Sequence, residues 1–169
     1  KYSNTAWSKP FLRIGHGGAS GYAPANSLAS LSTALDMGVD MVEFDVRPCR
    51  DALVLVHDEH LKTTNGPVRL VSQCTLAELR ALALNPESQI ATLPEALDLL
   101  MGRALINIDL KAAGYELEVH ELVLARGLAA DVLYSSVITS SLLRISQAAP
   151  EVKIGLSYPE DRGGASSKP

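Results

Sequence analysis

Short apolar runs alternate along the chain with longer segments in which apolar residues recur every three or four positions. The short runs predict β-strands and the longer segments predict amphipathic helices, and their alternation is typical of strand–helix units around a parallel sheet. The sequence therefore predicts an α/β fold with strands at residues 12–15, 41–46, 53–56, 104–110, 132–137 and 152–156.

The helix boundaries are marked by capping residues. Asn26 or Ser27 can cap a helix over residues 28–35, because a short polar side chain accepts hydrogen bonds from the first free backbone N–H groups. Two further helices begin with capping-box spacing, in which the cap and the third helical residue bond reciprocally: Thr75 with Glu78, and Thr92 with Glu95. Helical spacing also predicts helices at residues 115–126 and 141–149.

Strands separated by helices in this way fit two architectures, an open doubly wound sheet and most of a (β/α)8 barrel. A complete barrel takes about 250 residues, whereas this chain has 169, and periodicity alone does not separate the two. We expect a single domain over residues 1–169, a partial barrel in the second case, with a flexible tail of small polar residues at 161–169.

The composition limits the possible classes of function. With 47% hydrophobic residues the chain can bury one packed core, and a net charge of −4 without a cluster of lysine or arginine excludes a broad nucleic-acid surface. No apolar run approaches the roughly 20 residues that a membrane-spanning helix needs. The first residues include neither a methionine nor the apolar segment of a signal peptide, so we expect the natural N-terminus to be missing or processed.

The two cysteines bear on the cellular compartment. Cys49 and Cys74 have neither the spacing of metal ligands nor the number needed for a disulfide framework. We expect both to be inert thiols, and this cysteine usage favours a reduced, cytoplasmic location.

Charged side chains occur at alternate, odd-numbered positions in two of the predicted strands, although buried parallel strands are usually continuous apolar runs. Glu43 and Asp45 are two residues apart, so on a strand both point to the same side. On the strand at 104–110 Asp109 has the corresponding parity, and Lys111 follows it at the same parity. These two strands are therefore predicted to present charged groups on one face.

Histidines end two other predicted strands: His16 follows the first and His57 follows the third. Four consecutive strands thus deliver titratable groups at their C-terminal ends, which is where active sites lie in barrels and in open parallel sheets. Each group alone could be a solvated strand end, but all four would then have to be polar by accident. His60 in a polar loop and His120 in the middle of a helix are expected to take no part.

Three carboxylates that converge without a cysteine ligand form a hard, oxygen-ligand site suited to Mg²⁺ or Ca²⁺. They would repel one another unless a cation lay between them. The two strand-end histidines could share general acid and general base work nearby. The sequence therefore predicts an acidic cation site flanked by two histidines.

A set of short motifs occurs in order between residues 12 and 111, each weak alone and highly specific together. They are His16-Gly17-Gly18-Ala19-Ser20-Gly21, Pro24-Ala25-Asn26-Ser27, Glu43-Phe44-Asp45-Val46, Val56-His57-Asp58, Thr63-Thr64-Asn65-Gly66, Thr92-Leu93-Pro94-Glu95 and Asn107-Ile108-Asp109-Leu110-Lys111. In this order and spacing the motifs resemble those of the glycerophosphodiester phosphodiesterase family, and the similarity continues less distinctively to residue 156.

The resemblance implies a (β/α)8 TIM-type barrel of the phosphodiesterase and phospholipase C-like kind, lacking its last two βα units in this chain. It also implies metal-dependent hydrolysis of glycerophosphodiesters to glycerol 3-phosphate and an alcohol, with one divalent cation, Mg²⁺ or Ca²⁺. The family pattern implies the following roles: His16 and His57 as the acid/base pair, Glu43, Asp45 and Asp109 as metal ligands, and Lys111 as a phosphate contact.

Three positions depart from the family pattern. Gly17 stands where the family has arginine, Ala25 where it has glutamate, and Asp109 where it more often has the longer glutamate. Loss of one cation and one anion from the same loop leaves the net charge of the site unchanged, and a buried charge without its partner is costly. We interpret Gly17 and Ala25 as the paired removal of two interacting groups.

Two alternatives to an active phosphodiesterase stay open: a catalytically weakened relative that binds a phosphodiester or serves as a scaffold, and a lysophospholipase D-type relative. The missing arginine and glutamate favour the first, and the sequence up to residue 111 does not separate the second from the main hypothesis. Without two further βα units the sheet has an open apolar edge. We expect a missing C-terminal segment or a second copy of the chain to cover that edge.

Overall fold

The structure is a computed structural model that describes residues 7–62, 68–82 and 88–157. The predicted tail at 161–169 and the motif Thr63-Thr64-Asn65-Gly66 lie outside the described residues. The strands are β1 (Ile14–Gly15), β2 (Met41–Pro48), β3 (Leu53–Leu55), β4 (His60–Leu61), β5 (Arg69–Leu70), β6 (Leu105–Leu110), β7 (Val132–Ser136) and β8 (Lys153–Leu156). The α-helices are α1 (Leu28–Asp36), α2 (Leu76–Arg80), α3 (Leu93–Leu100), α4 (Glu116–Leu124) and α5 (Thr139–Ala148).

Five of the strands form a parallel sheet in the order β1-β2-β6-β7-β8, with helices in the connections, so the predicted α/β class is confirmed. Asp45 of β2 lies in register with Asp109 of β6, and Asp109 lies in register with Ser135 of β7. Side chains at one level of neighbouring strands point to the same face of a sheet. This register brings the polar groups of three strands into one row.

The direction of β3 corrects the predicted number of parallel strands. β3 pairs antiparallel with β2, because the connection at 49–52 is far shorter than the dozen or more residues that a crossover to a parallel strand needs. The described residues therefore hold five parallel strands, and an eight-stranded barrel would need three more rather than two. Since β3 runs antiparallel to β2, the Val56 N–H donates to the Asp45 carbonyl at 3.1 Å. His57, the next residue, therefore lies beside β2.

The predicted helix starts at three caps are confirmed. Ser27, rather than Asn26, caps α1, because its hydroxyl accepts a hydrogen bond from the Ser30 N–H at 3.1 Å. Complete capping boxes begin α2 at Thr75 and α3 at Thr92. These side chains satisfy N–H groups that the first turn of a helix leaves unpaired. In the segment that the sequence predicts as a turn-rich loop, β4 and β5 form a short antiparallel pair.

The hydrophobic core lies on the face of the sheet opposite to the polar row. Phe44 of β2 and Ile108 of β6 are buried in one cluster with Leu31 of α1 and Leu97 of α3. Because side chains alternate along a strand, burial of Phe44 and Ile108 on this side turns their odd-numbered neighbours to the other side. The core thereby fixes which face of the sheet carries the charged groups.

The two edges of the parallel sheet are open within the described residues, where β1 and β8 each pair with a single neighbour. Apolar side chains are exposed at both edges: Ile14 of β1 is 51% exposed and Leu156 of β8 is 54% exposed. Among the helices that the structure describes, none combines the length and apolar character needed to cross a membrane.

Candidate active site

Three buried carboxylates meet on the polar face of the sheet. Glu43 and Asp45 come from β2 and Asp109 comes from β6, and an oxygen from each lies within 4.8 Å of the others. The alternation along β2 and the register between Asp45 and Asp109 bring them together, as the sequence predicts. At such separations, and away from water, the negative charges repel one another strongly, so the cluster favours a positive group among them.

Lys111 supplies one positive group. Its Nζ lies 2.6 Å from Asp109 Oδ2 and 3.0 Å from Asp45 Oδ1. Burial alone would lower the pKa of the Lys111 ammonium, but the hydrogen bond with Asp109 and the charge of Asp45 together raise it. Lys111 therefore stays charged between the two carboxylates.

His16 and Gly17 both contact the third carboxylate. The His16 Nδ1 atom lies 3.0 Å from Glu43 Oε2, and the Gly17 N–H donates to the same oxygen at 2.8 Å. Burial and the neighbouring charge of Asp45 raise the pKa of Glu43, an effect that the Gly17 hydrogen bond and the His16 contact partly offset. The exposed imidazole of His16 thus faces solvent above a buried carboxylate.

Asn26 holds Asp45 through two hydrogen bonds. Its side-chain Nδ2 donates to Asp45 Oδ2 at 2.8 Å, and its Oδ1 accepts from the Asp45 N–H at 3.0 Å. Asn26 is buried and has a φ of 61°, a left-handed conformation that asparagine tolerates better than most residues. From the sequence, Asn26 is a possible helix cap and a member of the motif Pro24-Ala25-Asn26-Ser27, but no contact with Asp45 is predicted for it.

Two serines contact Asp109 that sequence reasoning misses altogether. The hydroxyls of Ser135 and Ser157 donate to Asp109 Oδ1 at 2.7 Å and 2.9 Å. Ser135 belongs to β7 and Ser157 follows β8, so two further strands contribute to the carboxylate cluster. The sequence signal was weak, because a serine near a strand end is common and reveals its partner only through the register.

His57 lies beside the cluster rather than in it. Its Nδ1 atom is 2.9 Å from Asp58 Oδ1, and its carbonyl accepts a hydrogen bond from Arg47. His57 lines a cavity of about 200 Å³ together with Ala25 and Asn26. The structure therefore brings five of the six predicted site residues into one cluster, in which His16 contacts Glu43 and Lys111 contacts Asp45 and Asp109. His57 lines the adjoining cavity.

The two departures in the first loop are neighbours in space. A β-carbon placed on Gly17 would lie 3.1 Å from the β-carbon of Ala25. Gly17 has a φ of +58°, in the left-handed region that favours glycine. The adjacency supports the interpretation that an interacting pair of side chains is absent from positions 17 and 25.

The residues that are expected to take no part in the site contact groups outside the carboxylate cluster. The exposed His60 is 3.9 Å from Glu59, and the buried His120 pairs with the Tyr134 hydroxyl at 2.9 Å. Cys74 is buried, and burial raises the pKa of the Cys49 thiol, which lowers its reactivity.

The donor set suits a hard divalent cation. Glu43, Asp45 and Asp109 offer oxygen ligands only, which is the chemistry of Mg²⁺ and Ca²⁺. Asp45 Oδ1 is buried and accepts no hydrogen bond within the described residues, since its approach to Lys111 lacks hydrogen-bond geometry. A buried oxygen of this kind, aimed into the cluster, fits a ligand atom for such a cation.

Sequence comparison finds one family. The sequence model of the glycerophosphoryl diester phosphodiesterase family matches residues 16–161. A glycerophosphodiester phosphodiesterase of Caldanaerobacter subterraneus subsp. tengcongensis is 32% identical over 162 residues, which cover 87% of this chain and 66% of that protein.

Two solved structures extend the likeness to the fold. The crystal structure of a glycerophosphodiester phosphodiesterase from Agrobacterium tumefaciens str. C58 has a TM-score of 0.74 and 30% identity, covering 83% of this chain and 64% of that one. The structure of an Oleispira antarctica phosphodiesterase in complex with the product sn-glycerol-3-phosphate has a TM-score of 0.74 and 30% identity, covering 92% and 70%. These neighbours are TIM-type barrels, and the parallel sheet of this chain matches part of that fold. The chain spans about two thirds of the length of these relatives.

Proposed function

The chain belongs to the glycerophosphoryl diester phosphodiesterase family, and on that premise we propose that it hydrolyses glycerophosphodiesters to glycerol 3-phosphate and an alcohol. The observation that carries the proposal is the meeting of three buried carboxylates with the Lys111 ammonium at one end of the sheet. Three carboxylates can balance one ammonium and one divalent cation, which leaves a site able to accept an anionic diester.

Glu43, Asp45 and Asp109 would hold the cation, either Mg²⁺ or Ca²⁺. When bound, the cation would supply Lewis-acid stabilisation of the charge that develops on the phosphate oxygens. Lys111, half-buried beside two of these carboxylates, would contribute a second positive charge to the phosphate. Asn26 orients Asp45, so the ligand does not have to be fixed when the substrate arrives.

His16 and His57 would share the proton transfers. A carboxylate lies near Nδ1 of each imidazole, Glu43 at 3.0 Å for His16 and Asp58 at 2.9 Å for His57. A partner at Nδ1 leaves Nε2 to exchange a proton with the substrate or with water. One histidine would activate the nucleophile, and the other would protonate the leaving alcohol.

The substrate class is supported by a relative. The Oleispira antarctica phosphodiesterase, 30% identical to this chain, has been solved with its product sn-glycerol-3-phosphate. The cavity beside His57 has about 200 Å³ of space and could receive part of a diester of this class.

A phosphodiester-binding relative with weakened catalysis is the second candidate. It is favoured by the contact between positions 17 and 25, because the arginine and glutamate of the family pattern are both absent there. Gly17 offers a backbone N–H, and that group already bonds to Glu43. The lysophospholipase D alternative, the cytoplasmic location and the covering of the open sheet edges stay predictions.

Product analysis separates the candidates. Phosphorus NMR of glycerophosphocholine and of lysophosphatidylcholine, each incubated with the protein and a divalent cation, identifies the bond that breaks. The proposal expects glycerol 3-phosphate from glycerophosphocholine. Conversion of lysophosphatidylcholine to lysophosphatidic acid and choline, with glycerophosphocholine left intact, would favour the lysophospholipase D alternative. Saturable binding of the diester without any product would favour the weakened relative.

A further inference from the structure

Asp109 lies in a row of polar residues on β2, β6 and β7, and the register continues this row to Gly155 of β8. The register aligns Asp45 of β2 with Asp109 of β6, Asp109 with Ser135 of β7, and Ser135 with Gly155 of β8. Ser157 lies two residues after Gly155 and therefore on the same side of the chain, one level higher. The sheet itself thus brings two serine hydroxyls to one carboxylate.

Both hydroxyls donate to the same oxygen. Ser135 Oγ lies 2.7 Å and Ser157 Oγ lies 2.9 Å from Asp109 Oδ1. Two donors use the hydrogen-bonding capacity of that oxygen, and the other oxygen, Oδ2, faces the Lys111 ammonium at 2.6 Å. The carboxylate is therefore fixed in rotation, with one oxygen held by the serines and one oxygen turned into the cluster.

Such fixing matters because Asp109 is short. Its side chain is one C–C bond, about 1.5 Å, shorter than the glutamate that the family more often has at this position. Because an aspartate side chain has fewer rotatable bonds than a glutamate side chain, it has less freedom to adjust the position of its carboxylate to the cation. The neighbouring groups therefore have to fix the carboxylate oxygen at the position where it can bind. Groups that hold a metal ligand in this way contribute substantially to affinity.

We propose that Ser135 and Ser157 are positioning residues that make the short Asp109 carboxylate serve as a single-oxygen cation ligand in this chain. The inference rests on the proposed function, because it concerns the reach of one of the three carboxylates assigned to the cation. It goes beyond that function by assigning a role to Ser135 on β7 and to Ser157 directly after β8, and neither strand contributes a predicted ligand.

The chain offers a matched control. Ser141 Oγ donates to Glu116 Oε1 at 2.6 Å, and both residues are buried, so this is also a serine–carboxylate bond away from water. Glu116 is not a member of the carboxylate cluster. Ser141→Ala therefore removes the same kind of hydrogen bond, and a purely structural role for Ser135 and Ser157 would produce the same effects as this control.

The test measures Mn²⁺ affinity by isothermal titration calorimetry in the full chain, with thermal unfolding measured alongside. Ser135→Ala and Ser157→Ala should each raise the Mn²⁺ Kd roughly 10-fold, and the double variant should raise it further. Ser157→Thr keeps the hydroxyl at a half-buried position and should restore the parent affinity. Ser141→Ala should lower the melting temperature and leave the Mn²⁺ Kd unchanged.

The outcomes separate this inference from the proposed function. If Asp109→Asn weakens Mn²⁺ binding and both serine variants bind as the parent does, the positioning role is overturned and the proposed function stands. The positioning role is also overturned if the parent hydrolyses the diester and the Asp109→Asn variant binds Mn²⁺ as tightly as the parent does. A folded parent that neither binds Mn²⁺ nor hydrolyses the diester would overturn the proposed function itself.

Discussion

Asn26 and Asp45 form a two-point contact in which the asparagine amide donates to the carboxylate at 2.8 Å and accepts from the aspartate N–H at 3.0 Å. The contact joins the loop before α1 to β2, and it fixes both the backbone and the side chain of a predicted cation ligand. Because Asn26 has a φ of 61°, its conformation and its amide can be tested separately.

Asn26→Gly removes the amide and suits the left-handed conformation, whereas Asn26→Ala removes the amide and places alanine in a conformation that it disfavours. We expect each variant to lose roughly 10-fold or more in kcat/KM, because the orientation of Asp45 is lost in both. Asn26→Ala should also be less stable than Asn26→Gly by about 1 kcal/mol, the penalty of a left-handed residue with a β-carbon. Steady-state kinetics and urea unfolding measure the two effects. Equal activity in the parent and Asn26→Gly would contradict the positioning of Asp45.

The histidine assignment is tested by neighbouring histidines of similar exposure. His57→Ala should lower kcat by about 10²–10⁴-fold while the melting temperature stays close to that of the parent, because the side chain is exposed. His60→Ala, three residues away and also exposed, is the control and should leave kcat unchanged. The reverse pattern would mean that His60 carries the proton transfer.

The paired departures at positions 17 and 25 predict a non-additive gain. Gly17→Arg alone introduces a cation without its former partner and a β-carbon at a φ of +58°, 3.1 Å from the Ala25 β-carbon. The double variant Gly17→Arg with Ala25→Glu should raise kcat/KM over the parent by roughly one to two orders of magnitude. This gain should exceed the product of the fold-changes of the two single variants. The measurement is a double-mutant cycle on a glycerophosphodiester. Independent single effects would contradict the pairing.

Asp40 predicts a pH dependence of stability outside the site. The hydrogen bonds from Lys9 and from the Arg13 N–H lower the pKa of the Asp40 carboxyl from 3.8 to about 2. Since the pKa is lower in the folded chain, ionised Asp40 stabilises the fold above about pH 4, and this contribution disappears as the pH falls towards about 2.

Asp40→Asn should therefore be less stable than the parent at pH 6, and the difference in the urea midpoint should shrink as the pH falls from about 4 to about 2. Asp36→Asn, at the exposed end of α1, is the control for the loss of one carboxylate. A difference between Asp40→Asn and the parent that does not vary with pH would contradict the lowered pKa of Asp40.

Local patterns predict the charged face of the site well. Glu43 and Asp45 share a side because a strand alternates with period two, and that period is a property of the segment alone. The same holds for the capping boxes at Thr75 and Thr92, where each partner lies three residues away. These features need no knowledge of the rest of the chain.

Features that depend on neighbouring strands are harder to predict. An apolar run predicts that β3 is a strand but not its direction, which the four-residue connection to β2 decides. Ser135 and Ser157 become partners of Asp109 only through the register of β6, β7 and β8. Their roles arise from tertiary structure, and a serine in a strand carries no sign of them in the sequence.

The central claim is that the carboxylate cluster hydrolyses a glycerophosphodiester with a divalent cation, and cation dependence tests it most directly. Glycerol 3-phosphate release from glycerophosphocholine is measured after treatment with excess chelator and again after Mg²⁺ or Ca²⁺ is restored, for the parent and for Asp45→Asn. We expect no release in chelator, recovery in the parent when the cation returns, and recovery in Asp45→Asn only at higher cation concentration, because a charged ligand is lost. Unchanged release by the parent in excess chelator would contradict the account.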